Sequence, residues 1–257
     1  MVRLLPRGTN PKSADNGRKA AESKNEQGAE MPYGVTYTDL GRMPYGESLE
    51  LQKRLFGELL RAKEEGHLTD GHLLLVEHPA VYTIGKSGRE SNLLVAEDYL
   101  KSLGAEYWHT DRGGDITFHG EGQVVGYPIV DLERTGLSLK EYIAALEQSV
   151  IDTVALYGIT AGRIEGASGV WVDEKSSRPR KICAIGVRTS RYVTMHGFAL
   201  NATTDLRWFD YINPCGFTDR GVTSIAAETG KHPDMNSLKQ HLTDALSANI
   251  NVKIYKN

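Results

Sequence analysis

Between residues 169 and 200 the chain carries three apolar runs rich in β-branched residues, and the links between them are too short to hold a helix. The runs cover 169–172, 181–188 and 192–200; the links are the polar stretch DEKSSRPR and the pair Thr189-Ser190. Strands joined this way must lie antiparallel, because a parallel crossover needs about a dozen residues or more. Ahead of them, Ser138 and Glu141 have capping-box spacing, and Ile143, Leu146, Val150 and Val154 recur on one helical face. That pattern predicts a helix over 138–157, stopped by Gly158. Leu49, Leu55, Leu59 and Leu60 predict a second amphipathic helix over 48–65, and the short run at 73–76 predicts a strand turning at Pro79. A helix near 237–248 and a strand at 252–255 close the chain. Helices mixed with hairpin-linked strands specify an α+β fold, a mixed and largely antiparallel sheet flanked by helices.

With 257 residues, 40% of them apolar and 25% charged, the chain can bury a full core. Residues 1–30 are polar and without apolar period, so they predict a disordered tail, with 31–257 folding as a single domain. The tail lacks the apolar core of a secretory signal, and its acidic residues argue against a transit peptide. A net charge of −3 gives no global attraction to nucleic acid or to a membrane surface. Two cysteines make no disulfide framework, and no apolar run has the length of a membrane helix, so a cytoplasmic protein is expected.

Chemistry concentrates in three segments. In RGGDITFHGEGQVVGYPIVDL, residues 112–132, five glycines fall within fifteen residues. Glycine removes the side-chain obstacle where another group must approach the backbone, so the segment reads as a ligand wall, or else as a Gly-rich hairpin with bulges. It has neither dinucleotide nor Walker spacing. In KICAIGV, residues 181–187, strand alternation places Lys181, Cys183 and Ile185 on one face. Cys183 reads as a small buried hydrophobe or a thiol; Lys181 reads as a snorkelling edge residue or a cation beside a thiol. In DLRWFDYINPCG, residues 205–216, Cys215 stands between Pro214 and Gly216, where helix and strand both stop. A rigid loop with access on one side presents a nucleophile better than an apolar strand does, although a structural cysteine remains the alternative. An ammonium that lowered a thiol's pKa by about two units would supply about 2.7 kcal/mol toward thiolate.

Taken in order, EHPAVYTIGK, the Gly-rich segment, GVWV, KICAIGV, HGFALN and DLRWFDYINPCG resemble the lipoyl(octanoyl) transferase family over about residues 37–225. The resemblance implies the catalytic-domain fold of biotin and lipoate ligases and an acyl transfer that uses no cofactor, neither nucleotide nor metal. It implies an octanoyl group passing from octanoyl-acyl carrier protein to a cysteine as a thioester, then to a lysine of a lipoyl domain or glycine-cleavage H protein. By position, Cys215 is the acyl-thioester residue and Lys181 the partner that lowers its pKa. The substrate-binding wall would be Arg112, Gly113, Gly114 and Asp115, then Ile116, Thr117, Phe118 and His119. Ala184, Ile185, Gly186, Gly197, Phe198 and Ala199 would complete it. His119 is expected as wall or hydrogen-bond donor rather than base, and His78 and His196 as structural or pocket-lining.

The family commonly has proline where this chain has Glu121 in HGEGQ, which puts a carboxylate near the expected pocket mouth and frees φ there. Because the implied partners are acidic, basic groups are expected around the entrance: Arg178, Arg180, Arg188, Arg191 and Arg220. Three other readings stand beside this one. They are an ATP-dependent lipoate or biotin ligase, a metal-binding module using Cys183, Cys215, His119 and His196, and a catalytically silent acyl-binding relative.

Overall fold

The computed structural model describes residues 33–213 and 220–256; Cys215 lies outside the described residues. The first described strand is β1 (Gly34–Arg42), and the chain turns at Pro44 into helix α1 (Tyr45–Glu64). This helix starts three residues before the predicted Ser48, because Pro44 takes the capping position with its φ already fixed. Strand β2 (Gly71–Glu77) follows. Its uninterrupted apolar run has a physical reason: Leu73 and Leu75 enter one core and Leu74 and Val76 another, so both faces of this strand are covered.

Strands β3 (Val81–Ile84), β4 (Glu106–His109) and β5 (Ile116–His119) then build a small sheet in the order β4-β3-β5, with helix α2 (Glu97–Ser102) between β3 and β4 in the chain. Strand β6 (Gln123–Ile129) belongs to the large sheet instead. The Gly-rich segment is therefore no hairpin. It crosses from one sheet to the other, and Gly122, at φ 78°, makes the bend.

After a short helix, α3 (Leu132–Thr135), comes α4 (Leu139–Ala155) with both halves of its capping box made: Glu141 N–H donates to Ser138 Oγ, and Ser138 N–H to Glu141 Oε2. Tyr142, Leu146, Val150 and Val154 are fully buried, each aliphatic one contributing about 1.5–3 kcal/mol. Strands β7 (Ala161–Ile164), β8 (Ala167–Val172), β9 (Arg180–Ser190) and β10 (Val193–Asn201) run antiparallel in sequence. The β9–β10 turn falls at Arg191 and Tyr192, both at positive φ, two residues beyond the predicted Thr189-Ser190. Thr189 is β-branched and stays in the ladder opposite Thr194.

A 3-10 turn over Leu206–Tyr211, the two-residue strand β11 (Gly221–Val222), helix α5 (Ile225–Thr229), helix α6 (Met235–Asn249) and strand β12 (Lys253–Lys256) complete the described chain. The large sheet has the order β12-β1-β2-β6-β10-β9-β8-β7, with β11 added on β9. Helices α4 and α6 bury Leu146, Val150, Leu238 and Leu242 against one face. Helix α1 covers part of the other with Leu49, Phe56 and Leu59. The α+β architecture read from the sequence is thus present. No described helix is long and apolar enough to cross a membrane.

Candidate active site

A cavity of about 1240 Å³ opens where strands β6, β9 and β10 meet the crossing Gly-rich segment. Residues 112–117 and His119 line it, with Ala184, Ile185 and Gly186 from β9 and Gly197, Phe198 and Ala199 from β10. Phe118 does not. It stacks on Trp208 with centroids 5.3 Å apart and meets Phe209 edge-on, in a separate apolar cluster behind the wall. The segment lies tight on β9: Gly113 N–H donates to Val187 O at 2.9 Å, and a Cβ on Gly186 would stand 2.7 Å from Gly113 O. Only glycine at 186 permits that crossing.

Arg112 is buried and holds the wall in shape. Its guanidinium donates to the carbonyls of Thr83 (2.6 Å), Asp115 (2.7 Å) and Gly113 (2.9 Å), and to Thr83 Oγ1. The His119 ring has a fixed tautomer. Gln123 Nε2 faces two acceptors, Phe118 O (3.1 Å) and Asn201 Oδ1 (2.8 Å), so its Oε1 accepts from His119 Nδ1–H at 2.8 Å. Nε2 is then left to accept from Thr83 Oγ1 at 3.3 Å. Burial pulls the His119 pKa down to about 3, and with both ring nitrogens engaged the side chain is a neutral wall element rather than a base. His78 is likewise internal: Nδ1–H donates to Met43 O, Nε2 accepts from Tyr127 OH, and burial lowers its pKa to about 4. His196 lines the cavity at φ 61°, its Nε2 2.8 Å from Asp111 Oδ1.

Strand β9 departs from simple alternation. Val170 pairs with Cys183 but Trp171 with Lys181, so Ile182 is an extra, bulged residue. The expectation that Lys181, Cys183 and Ile185 share a face is corrected accordingly. Ile182 and Cys183 both enter the core, while Lys181 lines the cavity with Ala184 and Gly186. Lys181 is half-buried, with Nζ 4.6 Å from the Trp171 ring centroid, and its stem runs past Gly169, where a Cβ would stand 3.4 Å from Lys181 Cε. Cys183 is fully buried, and burial pushes its thiol pKa well up. Iodoacetamide at about pH 8 is expected to leave Cys183 unmodified in the folded protein and to reach it only after denaturation. Labelling in the native state would contradict this packing.

The chain matches the family described as the lipoyl protein ligase A/B catalytic domain over residues 44–247. It belongs to that family. Among relatives, the octanoyltransferase of Bacteroides fragilis is 53% identical over 211 residues, 82% of this chain and 96% of that protein. The octanoyltransferase of Parabacteroides distasonis is 54% identical over 207 residues, 80% of this chain and 94% of that protein. A bipartite lipoate protein ligase from Thermoplasma acidophilum, solved in a study of its lipoylation system, superposes with a TM-score of 0.66 at 14% identity, over 89% of this chain and 87% of that one. That likeness shows the lipoate-ligase fold.

Within the family's glycine-rich segment, Glu121 is exposed and pairs with Arg42 at 2.7 Å; among the described residues that line the cavity it has no place. The turn is held without proline. Gly122 N–H donates to Glu77 Oε2, and Gly122 O accepts from Ala202 N, Thr203 N and Thr204 Oγ1. Of the basic candidates, Arg180 pairs with Asp173 and Glu228, Arg188 with Asp111, and Arg191 with Glu64. Arg178 is exposed on the β8–β9 link, and Arg220 alone of the five lines the cavity, 5.3 Å from the Trp171 centroid. Gln123, Val125 and Tyr127, within the Gly-rich segment read as a ligand wall, line it as well, whereas Arg89, Arg207, Tyr45 and Asn201 line it without having been singled out from the sequence. Asn201 had a visible signal: a polar residue closing the apolar strand HGFALN.

Proposed function

We propose that this chain is an octanoyltransferase of protein lipoylation, with Cys215 as nucleophile and Lys181 as its proton partner. The observation that carries the reading is the company Lys181 keeps. It shares a cavity with the glycine-built wall and with Asn213 and Arg220, the described residues on either side of the 214–219 segment that holds Cys215. Two residues of chain reach about 7 Å at most, so Cys215 is tethered to a cavity-lining residue. The identity of about half to octanoyltransferases adds the substrate class.

In the first step the Cys215 thiolate, stabilised by the Lys181 ammonium, attacks the thioester carbonyl of octanoyl-acyl carrier protein. The new C–S bond forms, the bond to the phosphopantetheine sulfur breaks, and that sulfur takes a proton from the Lys181 ammonium and departs as a thiol, which leaves Lys181 as a neutral amine. One thioester replaces another, so the step needs ionisation and alignment rather than a driving force. In the second step the ε-amine of a lipoyl-domain lysine attacks octanoyl-Cys215, gives a proton to the neutral Lys181 amine, and expels Cys215 thiolate beside the restored ammonium. Val125, Ala184 and Ala199 offer apolar surface to the acyl chain, at about 0.8 kcal/mol per methylene buried. Arg89 and Arg220 supply positive charge for acidic carrier and lipoyl domains, while Arg207 is paired with Asp205. The activity is assigned to the single domain 31–257 acting in the cytoplasm.

An ATP-dependent ligase of the same fold activates a free acid and needs no nucleophilic thiol. Incubation with octanoyl-acyl carrier protein and an apo lipoyl domain, without nucleotide, is expected to yield octanoyl-lysine. Product formed only from free octanoate and ATP would assign the chain to the ligases instead.

A further inference from the structure

Strand β9 changes neighbours at Lys181. Along 183–190 its edge is paired by β10, but at 180–181, beyond the end of β10, the same edge is taken over by β11. On its other edge Lys181 faces Trp171 next to the Ile182 bulge. The backbone partner of Lys181 is thus a strand of two residues that begins directly after the Cys215 segment. So short a strand cannot hold its own register, and its neighbours hold it: Gly221 N–H donates to Pro179 O (3.0 Å), Thr223 N–H to Lys181 O (2.9 Å), Asn201 Nδ2 to Thr223 O (3.0 Å), and Thr223 Oγ1 to Glu228.

The last bond is the end of a longer chain. Asn201 Oδ1 accepts from Gln123, Gln123 from His119, His119 from Thr83, and Thr83 from Arg112. Asn201 is 4% exposed, Gln123 1% and Thr83 0%, so water does not compete for these groups. Main-chain carbonyls at Phe118 and Thr223 set the direction of both amides, and with it the direction of the whole relay.

We propose that Asn201 and Gln123 are positioning residues for Lys181, joining the Arg112–His119 wall to β11, the strand that pairs with the Lys181 backbone. The proposal rests on the octanoyltransferase reading for the role of the dyad. Truncation at Asn201 removes the donor to Thr223 O, so the β11 pairing under Lys181 loosens and the amine no longer holds one position. Among the described residues, Arg220 at the Trp171 ring and Glu147, whose Oε1 accepts from Gly169 N–H, are charges near Lys181; Arg180 is engaged with Asp173 and Glu228. All remain in the variants.

The test is the pH dependence of Cys215 alkylation by iodoacetamide in the full chain, beside the rate of octanoyl-Cys215 formation. Asn201→Ala is expected to raise the apparent thiol pKa by about one unit, and to slow acylation about threefold near neutrality, with KM for the carrier protein unchanged. Ser149→Ala, which removes a hydroxyl bonded to Ala145 O and Ala245 O between α4 and α6, should cost similar stability and leave the profile in place. An unmoved profile in Asn201→Ala, or an equal shift in Ser149→Ala, overturns the proposal. In the wild-type chain, nitrogen-detected NMR is expected to show His119 neutral and protonated on Nδ1. The Nε2–H tautomer would break the relay whatever the variants do. Absence of any octanoyl adduct in wild type would instead reject the underlying function, since alkylation and tautomer are read without it.

Discussion

Replacing Lys181 with methionine is expected to slow octanoyl transfer about a thousandfold, within the range for loss of a positioned proton donor and acceptor. Methionine keeps an apolar stem of similar length, so the passage over Gly169 survives and a thioether–aromatic contact can replace the cation–π contact with Trp171, and the melting temperature should stay within a few degrees of wild type. The loss falls on both half-reactions, because one amine stabilises the thiolate and later receives the acceptor proton. Lys181→Arg separates the two duties. A guanidinium stays charged and can favour the thiolate, but it cannot act as a base, so octanoyl-Cys215 should form and then persist in the presence of lipoyl domain. Stopped-flow acylation and single-turnover transfer read the two steps. Transfer within tenfold of wild type in Lys181→Met would remove the amine from the mechanism.

Arg112→Ala should be the most destabilising single change in the cavity wall. The side chain is buried, and its removal strips donors from the carbonyls of Thr83, Gly113 and Asp115 while leaving a void where the guanidinium stood. A loss of about 3–5 kcal/mol is expected, which lowers the melting temperature by about 10 °C for a domain of this size. Lysine should recover little, since one ammonium cannot span donors arranged as a planar fork. Calorimetry and denaturant unfolding check the figure. Wild-type stability in Arg112→Ala would mean that the wall is held by other contacts and that the Gly113–Val187 crossing does not depend on this residue.

What could be read from the chain beforehand was mostly local. Helix α4 declares itself because its cap, its apolar face and its stop all lie within twenty residues, and strands β8 to β10 follow from short links. The resemblance carried by six ordered motifs pointed to a family that the comparisons show. The errors share one origin, which is contact between distant segments. The bulge at Ile182 comes from the register of β8, invisible in KICAIGV alone, and it moves Lys181 off the face of Cys183 and onto that of Ala184. Strands β5 and β6 look like one hairpin until each finds its partner in a different sheet. Phe118 sits inside the wall motif, yet the Trp208 ring from far along the chain claims it. Tyr45 has only the Pro-Tyr-Gly start of α1 as a local mark, and its place on the cavity floor follows from how α1 packs on β6 and β10.

The claim on which the account turns is a thioester at Cys215, formed without nucleotide. Intact mass spectrometry after mixing the chain with octanoyl-acyl carrier protein measures it directly. One octanoyl increment is expected on wild type and on Cys183→Ser, mapped by peptide digestion to residue 215, and none on Cys215→Ser. An increment that persists in Cys215→Ser, or that maps to Cys183, would contradict the account.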